Sequence, residues 1–154
     1  MPLIYAGLLF LHILAAAFWV GGMALMHFAV RPAAVATLEP PMRLSFLTAT
    51  LSRFFAGVST AIVVLLASGL LMVWMSGGFG RVQWSVHAML AIGLVMMALF
   101  LHIRFAPYPR LQRAVTAREW PVAAANLNII RKLVAVNLAL GVLVFALAVI
   151  ARAL

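Results

Sequence analysis

Four long apolar stretches decide what this chain can become. They run from about Leu3 to Val30, Phe54 to Met75, Trp84 to Phe105 and Leu133 to Ala151. Each is near or above the ~20 residues that a helix needs to cross the hydrocarbon core of a bilayer. Helical lead-ins extend the second and fourth, so the predicted helices span about 3–30, 43–75, 84–105 and 126–151. The period-two alternation of a membrane β-barrel is absent. Charge agrees: 8% of residues are charged and 68% hydrophobic, whereas a soluble domain carries about 25% charged residues. The predicted fold is an all-α membrane protein, a four-transmembrane-helix bundle forming a single domain over 1–154. "MPLIYAGLLFLH" lacks a basic n-region and its apolar run outlasts a signal core, so it reads as a retained first helix.

Helix breakers separate the spans. "RPAAVATLEPPMR" brings Pro32, Pro40 and Pro41 between the first two, and "SGGFG" makes a tight turn between the second and third. "APYPR" ends the third. Residues 110–120, "RLQRAVTAREW", suit a short interfacial helix with Trp120 at headgroup depth. Arg31, Arg43, Arg53, Arg104, Arg110, Arg113, Arg118, Arg131 and Lys132 flank the first and third connections, and only Arg81 and Arg152 flank the other side. The positive-inside rule then puts the basic connections in the cytoplasm and both termini outside, in the periplasm of a Gram-negative cell. The localisation expected is the bacterial inner membrane.

Several chemistries are excluded. The chain has no cysteine, which removes disulfides, iron–sulfur clusters and thiolate metal sites. Its net charge of +9 flanks apolar segments, so the partner is the lipid bilayer surface and not nucleic acid. Glu39 and Glu119 are the only carboxylates. No acid pair, serine triad or phosphate loop can be assembled, and any oxidoreductase activity must be run by a bound cofactor.

The four histidines are His12 and His27 on the first span and His87 and His102 on the third, each pair fifteen residues apart. Fifteen residues give a rise of about 22 Å and a rotation about 60° past four full turns. Each helix thus carries two imidazoles on roughly one face, one in each half of the membrane. Spans one and three run in the same direction, so His12 matches His87 in depth and His27 matches His102. Set diagonally across a bundle, they would hold two b-type haems, each ligated by two histidines. Gly21, Gly22, Gly69, Gly93 and Gly141 put a glycine near the middle of every helix, where a macrocycle can approach the backbone. Arg53 and Arg131 enter from the basic side and are candidate partners for the haem propionates. At the outer side Arg81, Gln83, Trp84 and Ser85 are the polar candidates. Asn137 is suited to bond across helices or to orient an imidazole. Met23, Met72, Met75 and Met89, with the same histidines, form an alternative set of soft Cu(I) ligands. Interhelical hydrogen bonding and plain packing account for single histidines and methionines equally well.

The stretches "LHILAAAFWVGGMALMHFAVRP", "SRFFAGV", "ASGLLM", "VHAMLAIGLVMMALFLH" and "IRKLVAVNLALG" together resemble the CopD family of copper-resistance membrane proteins. That resemblance implies copper uptake or tolerance beside a periplasmic copper-binding partner, and a helix organisation similar to small di-haem b-type cytochromes. Some members carry extra helices, and this chain matches a minimal four-helix core. A weaker resemblance is to the haem-dependent protoporphyrinogen oxidases, which also have four membrane helices. Three functions follow as expectations. The first is di-haem electron transfer with a quinone, oxygen-species or copper partner. The second is copper transport or binding through His and Met, and the third is the oxidase. A second copy of the chain is a further candidate partner.

Overall fold

The computed structural model describes residues 2–151; Arg152, assigned above to the outer side, lies outside them. The first span is α1 (Pro2–Leu25), a π-helical turn (Met26–Val30) and α2 (Arg31–Thr37) in one continuous rod. The second is α3 (Pro40–Met75), the third α4 (Trp84–Phe105), continued by α5 (Pro107–Thr116), and the fourth α6 (Trp120–Ile150). All four are long and apolar enough to cross a membrane, and no strand occurs among the described residues.

Proline explains most differences from the expected boundaries. Pro40 and Pro41 occupy the first turn of α3 and Pro121 that of α6. The missing N–H costs nothing there and the fixed φ suits the helix. Pro40 and Pro41 thus start a helix where the sequence reading took them as breakers, so α3 begins at 40, and Pro121 lets α6 begin at 120. Pro107 does the same for α5, which lies about three residues earlier than the predicted interfacial helix and leaves Trp120 to α6. Nor does α5 only float at the headgroups: Tyr108, Leu111 and Ala114 are buried, packed against α6 and α3. At about 1.5 Å per residue the 36 residues of α3 reach about 54 Å, beyond the ~30 Å hydrocarbon core. The surplus forms the platform that α5 covers.

Pro32 has a different effect. It has no N–H for the carbonyl of Phe28, and its ring crowds that carbonyl. The preceding turn widens: the Arg31 N–H bonds to the carbonyl of Met26, five residues back, where an α-helix bonds four back.

The "SGGFG" turn ends α3 in a Schellman arrangement. The Gly78 N–H bonds to the Val73 carbonyl at 2.9 Å and that of Gly77 to Trp74 at 3.1 Å. Gly77 and Gly78 have φ near +90°, a backbone region that L side chains avoid.

α1 packs chiefly on α3, and α4 chiefly on α6, so the bundle is two antiparallel hairpins with α1 and α4 on a diagonal. The first hairpin is interlocked by reciprocal insertion. The Phe54 ring sits where a side chain on Gly22 would be, and the Phe18 ring occupies that place at Gly57. An aromatic cluster joins the hairpins toward the basic end. Phe100 of α4 meets Phe55 of α3 edge-on at 5.6 Å and Trp19 of α1 at 6.2 Å, and Tyr108 meets Phe55 at 5.0 Å.

Candidate functional site

Gly141 of α6 sets the relative height of α1 and α4. Val20 of one and Met96 of the other both close on it. Counting from those residues, His12 and His87 lie about 12 and 14 Å toward the outer end, and His27 and His102 about 10 and 9 Å toward the basic end. The depths correspond. The directions do not.

On α1 the buried residues are Ala15, Trp19 and Met23, and His12 lies within about 20° of the centre of that face. On α4 the buried residues are Ser85, Met96, Phe100 and Ile103. His87 is about 180° from their centre and His102 about 120°. Both are exposed, whereas His12 and His27 are half-buried. Two bis-histidine haems within one chain require the imidazoles of α4 to face α1. The large residues Met96, Phe100 and Ile103 claim the inward face of α4, so the histidines turn outward and the residues do not fit that arrangement. The mid-helix glycines fit it no better: Gly22 and Gly141 are filled by Phe54, Val20 and Met96, and nothing approaches Gly21 or Gly93.

His12 is the histidine built into the bundle. Its Nδ1 is 2.9 Å from Ser68 Oγ on α3, and its ring lies over Gly69, with Cε1 3.2 Å from where a Cβ would stand. The Ser68 Oγ also lies within hydrogen-bond distance of the Val64 carbonyl. A hydroxyl proton given to that carbonyl makes Ser68 an acceptor toward Nδ1, the arrangement that would leave Nε2 as the metal-ligating nitrogen. Met72 and Met75 follow Ser68 at i+4 and i+7, on the same face of α3 one and two turns further out, and both are half-buried. Met89 lies on the buried side of α4, and Met23 is 1% exposed in the core. His87 donates from Nδ1 to the Gln83 carbonyl at 3.3 Å and has the Phe79 ring beside it at 5.9 Å. Of the outer polar candidates, Ser85 is buried while Arg81, Gln83 and Trp84 are exposed.

The two predicted propionate arginines go separate ways. Arg53 is exposed and lines an open groove between α3 and α5 with Ser45, Thr48, Ser52 and Gln112. Arg131 lines a different cavity, with His27 and Arg31. Asn137 is 2% exposed, and its Oδ1 has no hydrogen-bond partner, so it neither bonds across helices through that atom nor orients an imidazole with it. Ser68 was missed by sequence reasoning. The signal was there: it is the single hydroxyl between Thr60 and Ser76 on an otherwise apolar helix. Among the described residues no group of three or more His, Cys, Asp or Glu could hold a metal ion.

The family model for copper resistance protein D (CopD) matches residues 48–151, more than half of the chain. The chain belongs to the CopD family. No curated protein and no solved structure matches it. Four apolar helices and this membership make the chain an integral membrane protein of the bacterial inner membrane, with a link to copper resistance. In this CopD chain the match takes in His87, His102, Arg53, Arg131, Met72, Met75 and Met89. His12, Met23 and His27 precede it.

Proposed function

We propose that this CopD-family protein binds Cu(I) inside the membrane, in the outer half of the α1–α3 seam. Nε2 of His12 is the imidazole ligand, and the thioethers of Met72 and Met75 supply soft ligands from the same face as Ser68. Thioether and imidazole together select Cu(I) over the hard divalent ions. The observation that carries the reading is the contact of His12 Nδ1 with Ser68 Oγ, itself against the Val64 carbonyl, a chain that presents Nε2 as the metal ligand when Ser68 donates to Val64. Copper is cargo in this reading, and its approach from outside follows from the positive-inside orientation. Competition titration of the purified protein with a chromophoric Cu(I) chelator tests it. Wild type is expected to take one Cu(I) per chain at this site, and His12→Ala or the Met72→Leu, Met75→Leu double variant to lose it. Ser68→Ala should weaken binding by about 10–100-fold. Unchanged affinity in His12→Ala would falsify the site.

A haem reading rests on one observation. His87 and His102 stand exposed on α4 at two depths, and imidazoles within a membrane are normally covered. Their opposing ligands would come from a second copy of the chain, across an interface made by α4. A dithionite-reduced spectrum of protein made with haem available tests this. A sharp α-band lost in His87→Ala supports it, and a colourless protein rejects it.

A further inference from the structure

The basic end of the bundle holds a second site of different chemistry. His27 and Arg31 of the first span and Arg131 of α6 line one cavity of about 50 Å³, whose remaining wall is apolar, with Leu47, Leu127 and Val134 among its residues. All three polar side chains are half-buried. Arg131 is steered by its neighbour: its Nη2 donates to Asn128 Oδ1 at 2.7 Å. Arg31 lies within Coulombic range of both Arg131 and Arg43. No ion pair occurs among the described residues, so nothing in the fold neutralises this cluster.

Membrane-edge arginines that act only as anchors extend singly toward the headgroups. Here two arginines from different helices share a cavity with an imidazole, against their mutual repulsion. The backbone shapes the site as well. The π turn of Met26–Val30, which Pro32 imposes, contains His27 and ends at Arg31. By inserting a residue into the register it re-aims both side chains relative to the face set by Ala15, Trp19 and Met23.

We infer that this cavity is a binding site for the phosphate headgroup of an anionic phospholipid. The cation pair and imidazole supply charge-assisted donors. The cavity is small enough to take a headgroup anion and not a whole amphiphile, and its apolar wall is compatible with the glycerol end of a lipid. The cytoplasmic side, to which the positive-inside rule assigns this end, is where protein cations meet anionic lipid. The site is separate from the His12 seam and does not depend on the copper reading.

Thermal unfolding of the whole protein in neutral detergent, with and without added phosphatidylglycerol, tests the inference. Wild type should gain about 5 °C from phosphatidylglycerol and nothing from phosphatidylcholine or inorganic phosphate. Arg31→Gln with Arg131→Gln should lose the gain, while Arg110→Gln with Arg113→Gln, on the exposed face of α5, should keep it. Val134→Phe, which fills the cavity and leaves every charge in place, should also lose it, so the test survives poor folding of the double arginine variant. A gain that persists in both cavity variants, or is lost equally in the α5 variant, overturns the site. Inorganic phosphate reproducing the full gain overturns the lipid assignment.

Discussion

The two histidine pairs have the same fifteen-residue spacing and sit at matching depths, yet one is folded into the protein and the other faces out of it. On α1, His12 falls on the face of Ala15, Trp19 and Met23, and α3 offers it Ser68 and Gly69. On α4, the inward face belongs to Met96, Phe100 and Ile103, and the histidines take what is left. Spacing along a helix fixes how two residues relate to each other. Which side of the helix meets the bundle is decided by the largest side chains that interlock with neighbours, and those need not share a face with the polar ones.

The sharpest way to break this contrast is to remove what orients α4. Phe100 packs on both Trp19 and Phe55, so Phe100→Ala should cost about 3–5 kcal/mol, read by denaturant unfolding in mixed micelles. A loss under 1 kcal/mol would mean that the cluster does not set the orientation of α4. Next comes the α1–α3 seam that presents Ser68 to His12. Gly57→Leu collides with Phe18 and should destabilise by about 1–3 kcal/mol, with most of the loss recovered by adding Phe18→Ala. The smallest effect compares the histidines themselves. His12→Ala forfeits an interhelical hydrogen bond worth about 0.6 kcal/mol in a membrane, and His87→Ala, exposed and bonded only to its own helix turn, should change stability by less than about 0.5 kcal/mol. The chain has no cysteine, so single-cysteine labelling makes the same comparison cleanly: His87→Cys should react readily with a maleimide and His12→Cys should be protected.

The four spans were legible because apolar length is a sufficient signal for a bilayer-crossing helix. Matching depth was legible too, since rise per residue is constant. What stayed hidden depends on partners. Pro32 announces a disturbance, but whether it ends the helix or widens the turn before it depends on the packing that holds Met26–Val30 helical. Arg53 and Arg131 look equivalent by charge and approach. They part because α5 docks beside Arg53, and the π turn and the start of α2 lie beside Arg131, and tertiary neighbours leave no local trace. Ser68 had a legible identity and an illegible role, since its value comes from an imidazole 56 residues away.

The reciprocal seating of Phe18 on Gly57 and Phe54 on Gly22 has a consequence for how such a chain can vary. Neither glycine can gain even a methyl group unless its ring shifts aside, and trimming a ring alone gives up the contact. Each position is tolerant only in the company of its mate. Related sequences should therefore swap bulk across the two helices in couples, large for small and small for large, and the correlation between those columns would trace the line of contact without any coordinates at all.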